Sequence, residues 1–449
     1  MYKPKYLLLL IIILALTTFG FAQSYMSARS ISLSGAYSTN SRGVNTIGWN
    51  PANLGYNDNP NFAWKFFMLP FIPATSFELK NNSISPYWLE NEFLVGKLLN
   101  DQDKQSLLNY FPETGLQVSP VMNIDLLSMS FGHWAFSFGV ESISNVTIPK
   151  NLFNFVFYGN EFDEPIDLSG LDLESQTMGT FTLYHGREIK LDFLDEYVKQ
   201  FNVGAGIKFL SGASYIDIEK MDARVTFTRD KAIVDGHGLA TGAAGGYGFA
   251  LDAGMSAQIN DQLYSSLSFH NLGGKINWGN LNLGIFDDEI LGSDSQENGD
   301  IVEAVFDIQS EIHKSDFENA DSLIEEGITT DTTYIIDNYS TSYPAYMNMG
   351  VEYRLLENLT FTANYQQFFT EKLVFNTTPQ LSIGTEYYPF PVLPLRAGFS
   401  VGGYDKFRWG FGTGLNFKNY TFDFGFAQVG GMFKRAKGMS FTITNMLLF

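Results

Sequence analysis

The clearest pattern in the chain is an alternation of apolar and polar residues towards its C-terminal end. In the last predicted strand, one face carries the apolar residues Phe441, Ile443, Leu447 and Phe449. The other face carries the hydroxyl residues Ser440, Thr442 and Thr444. The same alternation recurs in segments 347–355, 359–366, 395–402, 407–417 and 420–427. Successive side chains of a strand point to opposite faces, so this pattern predicts consecutive strands with one apolar and one polar face.

The connections between these strands also alternate in kind. Short turns are predicted near 356–358, 389–394 and 418–419, and longer polar links near 368–378, 402–406 and 430–438. Outer-membrane barrels have short turns at one rim and longer loops at the other. At roughly 18 residues per strand with its share of turn, the chain has room for about 14 strands. We therefore predict an all-β fold, a transmembrane antiparallel β-barrel over residues 61–449.

Two segments interrupt the strand pattern. Residues 86–111 have helical spacing, with Asn100 as the predicted N-cap of a helix over 101–111. Residues 281–342 form an acidic insertion. Between 287 and 331 it has 15 acidic residues, and Lys314 is the single base. This insertion is either a solvated external loop with a short strand near 301–308, or a divalent cation site that bridges to lipopolysaccharide or a partner.

The N-terminus has the features of a secretory signal peptide over residues 1–22. Lys3 and Lys5 precede an apolar run over 7–16, and small residues lead to a predicted cut after Ala22. The chain has no cysteine, which excludes a lipoprotein anchor and disulfides. We therefore predict an exported protein of the bacterial outer membrane.

Composition narrows the functional classes. The formal net charge is −20, which argues against nucleic acid as a partner, because phosphate binding needs basic patches. Aromatic residues make up 16% of the chain, as the aromatic girdles of a barrel would require. A large soluble β-sandwich would also use many aromatics. The histidines fall in separate segments: His133, His185, His237, His270 and His313. With no nucleophile elbow, HExxH or P-loop, we predict no enzyme, no cofactor and no metal site.

The residues ahead of the first strand carry a family resemblance. Gly35-Ala36, followed by Asn50-Pro51-Ala52-Asn53-Leu54-Gly55, resembles the hatch segment of the FadL-type hydrophobic-compound channels and of the type IX secretion shuttle barrels. The chain is most similar to an uncharacterised set of barrels in bacteria that use type IX secretion. The resemblance implies a lumenal hatch over residues 23–60, with Asn50, Pro51 and Ala52 as its movable gate.

The resemblance also implies function. A FadL-like barrel would bind or transport small hydrophobic molecules. The alternative is a structural or secretion-associated barrel that docks an outer-membrane protein through extracellular loops, and a general porin is a third hypothesis. The expected partners are outer-membrane lipid and lipopolysaccharide, a hydrophobic ligand, and the barrel assembly machinery. That machinery would recognise the last strand through Phe441, Ile443, Leu447 and Phe449.

Overall fold

A computed structural model describes most of the chain. The described residues are 27–65, 74–88, 100–159, 162–194, 196–279, 301–313, 328–335 and 339–449. The predicted signal peptide lies outside them, as does much of the acidic insertion.

Strands dominate the described residues. They are β1 (Phe62–Lys65), β2 (Ala74–Asn81), β3 (Leu116–Phe131), β4 (Trp134–Ile148), β5 (Pro165–Asp167), β6 (Asp172–Glu188), β7 (Gln200–Phe227), β8 (Lys231–Gln258), β9 (Leu263–Trp278), β10 (Ile301–His313), β11 (Ile328–Ile335), β12 (Ser340–Ser342), β13 (Tyr346–Leu356), β14 (Leu359–Phe368), β15 (Gln380–Phe390), β16 (Leu393–Gly402), β17 (Lys406–Asn416), β18 (Tyr420–Val429) and β19 (Gly438–Leu448).

The helices are short. They are α1 (Ala28–Ser32), α2 (Pro86–Trp88), α3 (Asp101–Tyr110) and α4 (Lys150–Tyr158), with 3-10 turns at Gly43–Thr46, Pro51–Gly55 and Phe433–Arg435. Among the described residues, no helix is long and apolar enough to cross a membrane.

The sheet closes on itself. Ala63 of β1 lies opposite Leu448 of β19 on one side and opposite Ser130 of β3 on the other. β2 pairs with the same two neighbours, so β1 and β2 together form one wall strand. From there the ring runs antiparallel through β3, β4, β6, β7, β8, β9 and β13 to β19. This is the 14-stranded antiparallel barrel that the sequence predicts.

The first wall strand is not one continuous ladder. Lys65 pairs with Ser128 of β3, and Ala74 pairs with Asp125. Two residues of β3 lie between these positions, whereas eight residues of the first wall strand lie between them. The first wall strand is therefore divided into β1 and β2.

The two faces of the wall differ as the alternation predicts. Phe441 and Phe411 are 42% and 45% exposed on the outside, whereas Ser440 is 0% and Thr442 1% exposed inside. The same holds in each of the six alternating segments, where the buried residues are polar or glycine except for Ala427. The barrel therefore has an apolar exterior and a polar interior, the inverse of a soluble protein.

The two rims are unlike. One rim, here called the short-turn rim, has tight connections at 132–133, 259–262, 357–358, 391–392 and 417–419, and one longer connection at 189–199. The opposite rim, here called the long-loop rim, has connections at 82–115, 149–171, 279–339, 369–379 and 430–437. The connection predicted as a longer link near 402–406 is also on this rim, but it is short, at 403–405. In outer-membrane barrels the longer loops are extracellular, so the long-loop rim is expected to face outward.

A sheet protrudes from the long-loop rim. β7 and β8 each contain 28 residues, roughly 90 Å at about 3.3 Å per residue, far more than a bilayer requires. Their outer halves pair with β5 and β10, and β10 pairs with β11. The acidic insertion therefore contains the strand expected near 301–308, extended to His313, and a second strand that its high acid content concealed. We name β5, β10, β11 and these outer halves the protruding sheet.

Helices pack together at the long-loop rim. α3 begins after Asn100, whose side chain accepts a hydrogen bond from the Asp103 amide at 2.8 Å. Phe111, just after α3, stacks on Phe153 of α4 with ring centroids 4.0 Å apart. The predicted helical residues 89–99 lie outside the described residues.

Candidate functional site

Residues 27–60, here called the inner segment, lie inside the barrel. α1 packs against β16 to β19, and the 3-10 turn Pro51–Gly55 packs against β6, β7 and β8. Between them, Ser38 donates a hydrogen bond to Asn364 of β14, and Tyr346 of β13 donates one to the Gly48 carbonyl at 2.9 Å. The segment therefore touches the wall on opposite sides and crosses the lumen.

The residues predicted as the gate form a capped turn. The Asn50 side chain accepts a hydrogen bond from the Ala52 amide at 2.9 Å, and Pro51 occupies the first position of the turn. Proline suits this position because its fixed φ is helical and its missing N–H would have no partner. Asn50 also donates through Nδ2 to the Met255 carbonyl of β8 at 3.1 Å. Gln200 of β7 donates to the Gly55 carbonyl at 2.8 Å, so the turn is ordered locally and tied to the wall through both of its ends.

Glycines in the wall make room for this turn. A Cβ at Gly204 of β7 would overlap the Ala52 nitrogen, and a Cβ at Gly254 of β8 would overlap the Asn50 side-chain oxygen. The backbone of the turn therefore lies directly on the backbone of the wall, a close approach that glycine permits.

A buried polar network holds the adjacent Trp49. His270 of β9 has Nε2 2.9 Å from the Trp49 carbonyl oxygen and Nδ1 2.8 Å from Asp252 of β8. Ser268 also donates to the Trp49 carbonyl at 2.8 Å. Both ring nitrogens of His270 thus lie within hydrogen-bonding distance of an oxygen atom.

Asp252 is the centre of this network. Its carboxylate accepts a hydrogen bond from Tyr184, lies 3.0 Å from the Lys208 ammonium, and accepts the Asn271 amide at 2.8 Å. Asp252 and Lys208 are both almost completely buried. A buried carboxylate is tolerated when cations and donors surround it, so each of these partners has a structural role.

A second buried network holds α1. Arg29 donates through Nε to Glu386 of β15 at 2.8 Å. Glu386 also binds Arg396 of β16, which pairs in turn with Asp423 of β18 at 2.6 Å. Two arginines and two carboxylates thus join α1 to three wall strands.

A third contact lies at the short-turn rim. Asp58 accepts Arg42 Nε at 2.6 Å and lies 3.1 Å from an Arg354 terminal nitrogen at the end of β13. Burial would raise the pKa of the Asp58 carboxyl, but the charges and hydrogen bonds of Arg42 and Arg354 outweigh it and hold the pKa below its ordinary value.

The inner segment borders two separate cavities. One, of about 50 Å³, lies between α1 and the Asp405–Arg408 pair. The other, of about 470 Å³, lies towards the short-turn rim, with Arg29, Arg42 and Asp58 in its polar lining. The two cavities share no lining residue, so the inner segment stands between them.

The structure places the predicted site residues in two groups. Asn50, Pro51 and Ala52 lie together in the lumen, and whether they move stays a prediction. Three residues of the predicted assembly signal, Phe441, Ile443 and Leu447, lie on the outer side of β19. Phe449 follows β19, exchanges backbone hydrogen bonds with Phe62, and is 62% exposed. Recognition of the four by the assembly machinery stays a prediction.

No motif in the sequence singles out His270, Asp252 or Arg29. The alternation in β9 could have indicated His270, because it lies on the same polar face of that strand as Ser266 and Ser268. Among the described residues, no group of three or more His, Asp or Glu side chains is placed to hold a metal ion.

Solved structures with a similar fold include proteins named as toluene transporters, a monoaromatic hydrocarbon channel and a FadL homologue. The Ralstonia pickettii toluene transporter TbuX matches with a TM-score of 0.49 and 11% identity, covering 95% of this chain and 99% of its own. A Pseudomonas aeruginosa FadL homologue matches with a TM-score of 0.49 and 11% identity, covering 96% of this chain and 100% of its own. The CymD monoaromatic hydrocarbon channel matches with a TM-score of 0.48 and 10% identity, covering 96% of this chain and 99% of its own. Likeness at this level of identity concerns the fold and assigns no substrate, and type IX secretion stays a prediction.

Sequence comparison gives a family and no function. No curated protein matches the chain. A family model described as a family of unknown function (DUF5723) matches residues 59–241 and 234–426, which is most of the barrel. The chain is therefore a member of the DUF5723 family.

Proposed function

We propose that this protein is an outer-membrane channel that binds and carries small hydrophobic molecules, with Asn50, Pro51 and Ala52 as its movable gate. One observation carries the proposal: the inner segment crosses a closed 14-stranded barrel and separates the cavities on its two sides. Side-chain hydrogen bonds fasten it to the wall, so it can move without breaking a strand ladder. This closed arrangement also disfavours a general porin.

Apolar side chains near the long-loop rim suit a hydrophobic ligand. Val374 and Phe375, in the loop between β14 and β15, are buried against Val121 and Ile143 of the opposite wall. They lie beyond the polar networks, on the long-loop side. A hydrophobic molecule arriving from that side would meet this cluster first, and its displacement would expose the inner segment.

Cross-linking the inner segment to the wall tests the proposal. The hydroxyl oxygens of Thr39 and Ser266 are 2.7 Å apart, and the chain has no cysteine of its own. A Thr39→Cys/Ser266→Cys disulfide should therefore form and hold the segment against β9. We expect the oxidised protein in liposomes to lose uptake of radiolabelled toluene, and reduction to restore it.

The matched control joins wall to wall. The hydroxyl oxygens of Ser144 on β4 and Ser175 on β6 are also 2.7 Å apart and lie on two adjacent wall strands. A Ser144→Cys/Ser175→Cys disulfide should leave uptake unchanged. Equal uptake by the oxidised and reduced forms of the first variant would refute a moving inner segment. No uptake by the cysteine-free protein would refute the hydrophobic-transport proposal itself.

The protruding sheet favours a second candidate function, the docking of an outer-membrane protein partner. Its strands extend well past the barrel, and transport does not require that length. Deleting 219–243 would remove the outer β7–β8 hairpin and leave the paired barrel halves. Affinity purification should then lose a partner that the full chain retains, whereas an unchanged set of partners would count against docking.

A further inference from the structure

We propose that the outer face of β13 to β17 binds one phosphorylated, multiply acylated lipid of the leaflet at the long-loop rim. The inference rests on the proposed placement in an outer membrane, and it concerns a surface separate from the lumen. A groove supplies the acyl site, and cations at the rim supply the phosphate site.

The groove has a volume of about 790 Å³ and an apolar lining. Its floor consists of the small outward residues Ala363, Thr385 and Ala397 on three adjacent strands. Large outward side chains border this floor: Tyr353, Phe361, Phe399, Trp409 and Phe411. Small residues side by side between aromatic ones leave a depression that an acyl chain can fill.

The groove reaches the connection between β18 and β19 at Met432. The next residue, Phe433, has its ring 5.4 Å from that of Trp409 in the groove wall. The Gln428 side-chain oxygen accepts both Trp409 Nε1 at 2.9 Å and the Phe433 amide at 2.6 Å. These contacts fix the connection beside the groove, so the residues that follow lie at its mouth.

Exposed cations adjoin the residues of this mouth in the chain, although the chain as a whole carries a net charge of −20. Lys434 and Arg435 follow Phe433, and Lys406 precedes Phe407 of the groove lining; all three side chains are exposed. The Lys434 ammonium also lies 4.4 Å from the centre of the Tyr87 ring. The nearby carboxylate of Asp405 is buried and already paired with Lys80 and Arg408.

This combination selects the ligand class. Exposed Lys and Arg side chains at a membrane surface attract anionic headgroups, and an apolar groove directly below accepts acyl chains. A zwitterionic lipid would lack the charge, and a soluble anion would lack the chains. A phosphorylated outer-leaflet lipid with several acyl chains has both.

The test uses native mass spectrometry of the full barrel, delipidated in detergent and titrated with synthetic bisphosphorylated hexa-acyl lipid A. Ala397→Phe fills the groove, and Lys434→Glu/Arg435→Glu reverses the charge at its mouth. Matched controls are Ala205→Phe, an outward alanine on β7, and Arg229→Glu, an exposed cation between β7 and β8. All four changes lie on outer surfaces, so folding should be preserved.

We expect one tightly retained lipid on the parent protein and the controls, and about tenfold weaker retention on both test variants. Dephosphorylated lipid A should bind the parent as weakly as it binds the charge-reversed variant. Equal retention by all variants, or a second copy of the chain occupying the face in place of lipid, would overturn the proposal. Toluene uptake that persists while lipid retention fails would separate this failure from that of the proposed function.

Discussion

His270 of β9 places Nε2 2.9 Å from the carbonyl oxygen of Trp49, a residue 221 positions earlier in the chain. The other ring nitrogen faces the buried carboxylate of Asp252, which also contacts Lys208 and Tyr184. One wall side chain thus connects the inner segment to a buried carboxylate of the lumen. Release of the inner segment would require this contact to break.

Replacing this histidine should loosen the inner segment. In His270→Phe, the Trp49 carbonyl loses one of its two wall donors and Asp252 loses one partner, which should cost about 1–3 kcal/mol. We expect faster proteolysis within residues 27–60 and a higher open probability in planar bilayers. His185→Phe is the control, because His185 lies on the outward parity of β6. Equal behaviour of the two variants would contradict the assignment.

The Arg29–Glu386–Arg396–Asp423 network should respond unequally to its two arginines. Arg396→Met leaves Asp423 without its arginine partner and Glu386 with one partner, which should destabilise the fold by about 3–5 kcal/mol. Arg29→Met should cost less, since Glu386 keeps Arg396. Urea unfolding in detergent micelles compares the variants, and an equal loss from both would show that Arg396 is not central.

The close approach of Gly204 to Ala52 predicts a steric effect. In Gly204→Leu the new side chain would occupy the space of the turn, displacing it or straining the wall by about 1–3 kcal/mol. Gly242→Leu is the matched strand-glycine control, because no heavy atom lies within 4 Å of a Cβ built there. Thermal unfolding should separate the variants, and equal melting temperatures would argue against tight docking of the turn.

The short-turn rim should show a pH dependence through Asp58. Because its pKa is lowered in the folded protein, its stabilising contribution is present above its ordinary pKa of about 4 and is lost as pH falls through the folded value. Below about pH 4, the melting temperature should therefore fall more steeply for the parent than for Asp58→Asn. Asp261→Asn, which removes an exposed partner of Lys199 on the same rim, should follow the parent. Parallel curves for the parent and Asp58→Asn would disprove the effect.

The sequence predicts the barrel because its information is local. The alternation over 420–427 indicates which side chains face lipid, and the connection lengths indicate which rim carries the longer loops. Charged residues gather between Ile218 and Ala223, and β7 continues past them with a register shift. Local pattern does not show that a bulge can carry a strand past charged residues once they lie beyond the membrane.

The site was harder to predict because it depends on distant pairings. Asn50, Pro51 and Ala52 stand out through turn chemistry, but their contacts on β7 and β8 lie more than 150 positions away. Asp252 and Lys208 resemble other polar lumen residues until strand register brings them within 3.0 Å. A single sequence shows on which face of a strand such residues lie, but it does not show which residues they contact.

The central claim is that the inner segment moves when a hydrophobic molecule binds. Hydrogen–deuterium exchange of the full chain in lipid nanodiscs, with and without toluene, measures this directly. Our account predicts that toluene speeds exchange in residues 44–56 while the wall strands β14 to β18 stay protected. Unchanged exchange in 44–56 at saturating toluene would contradict it.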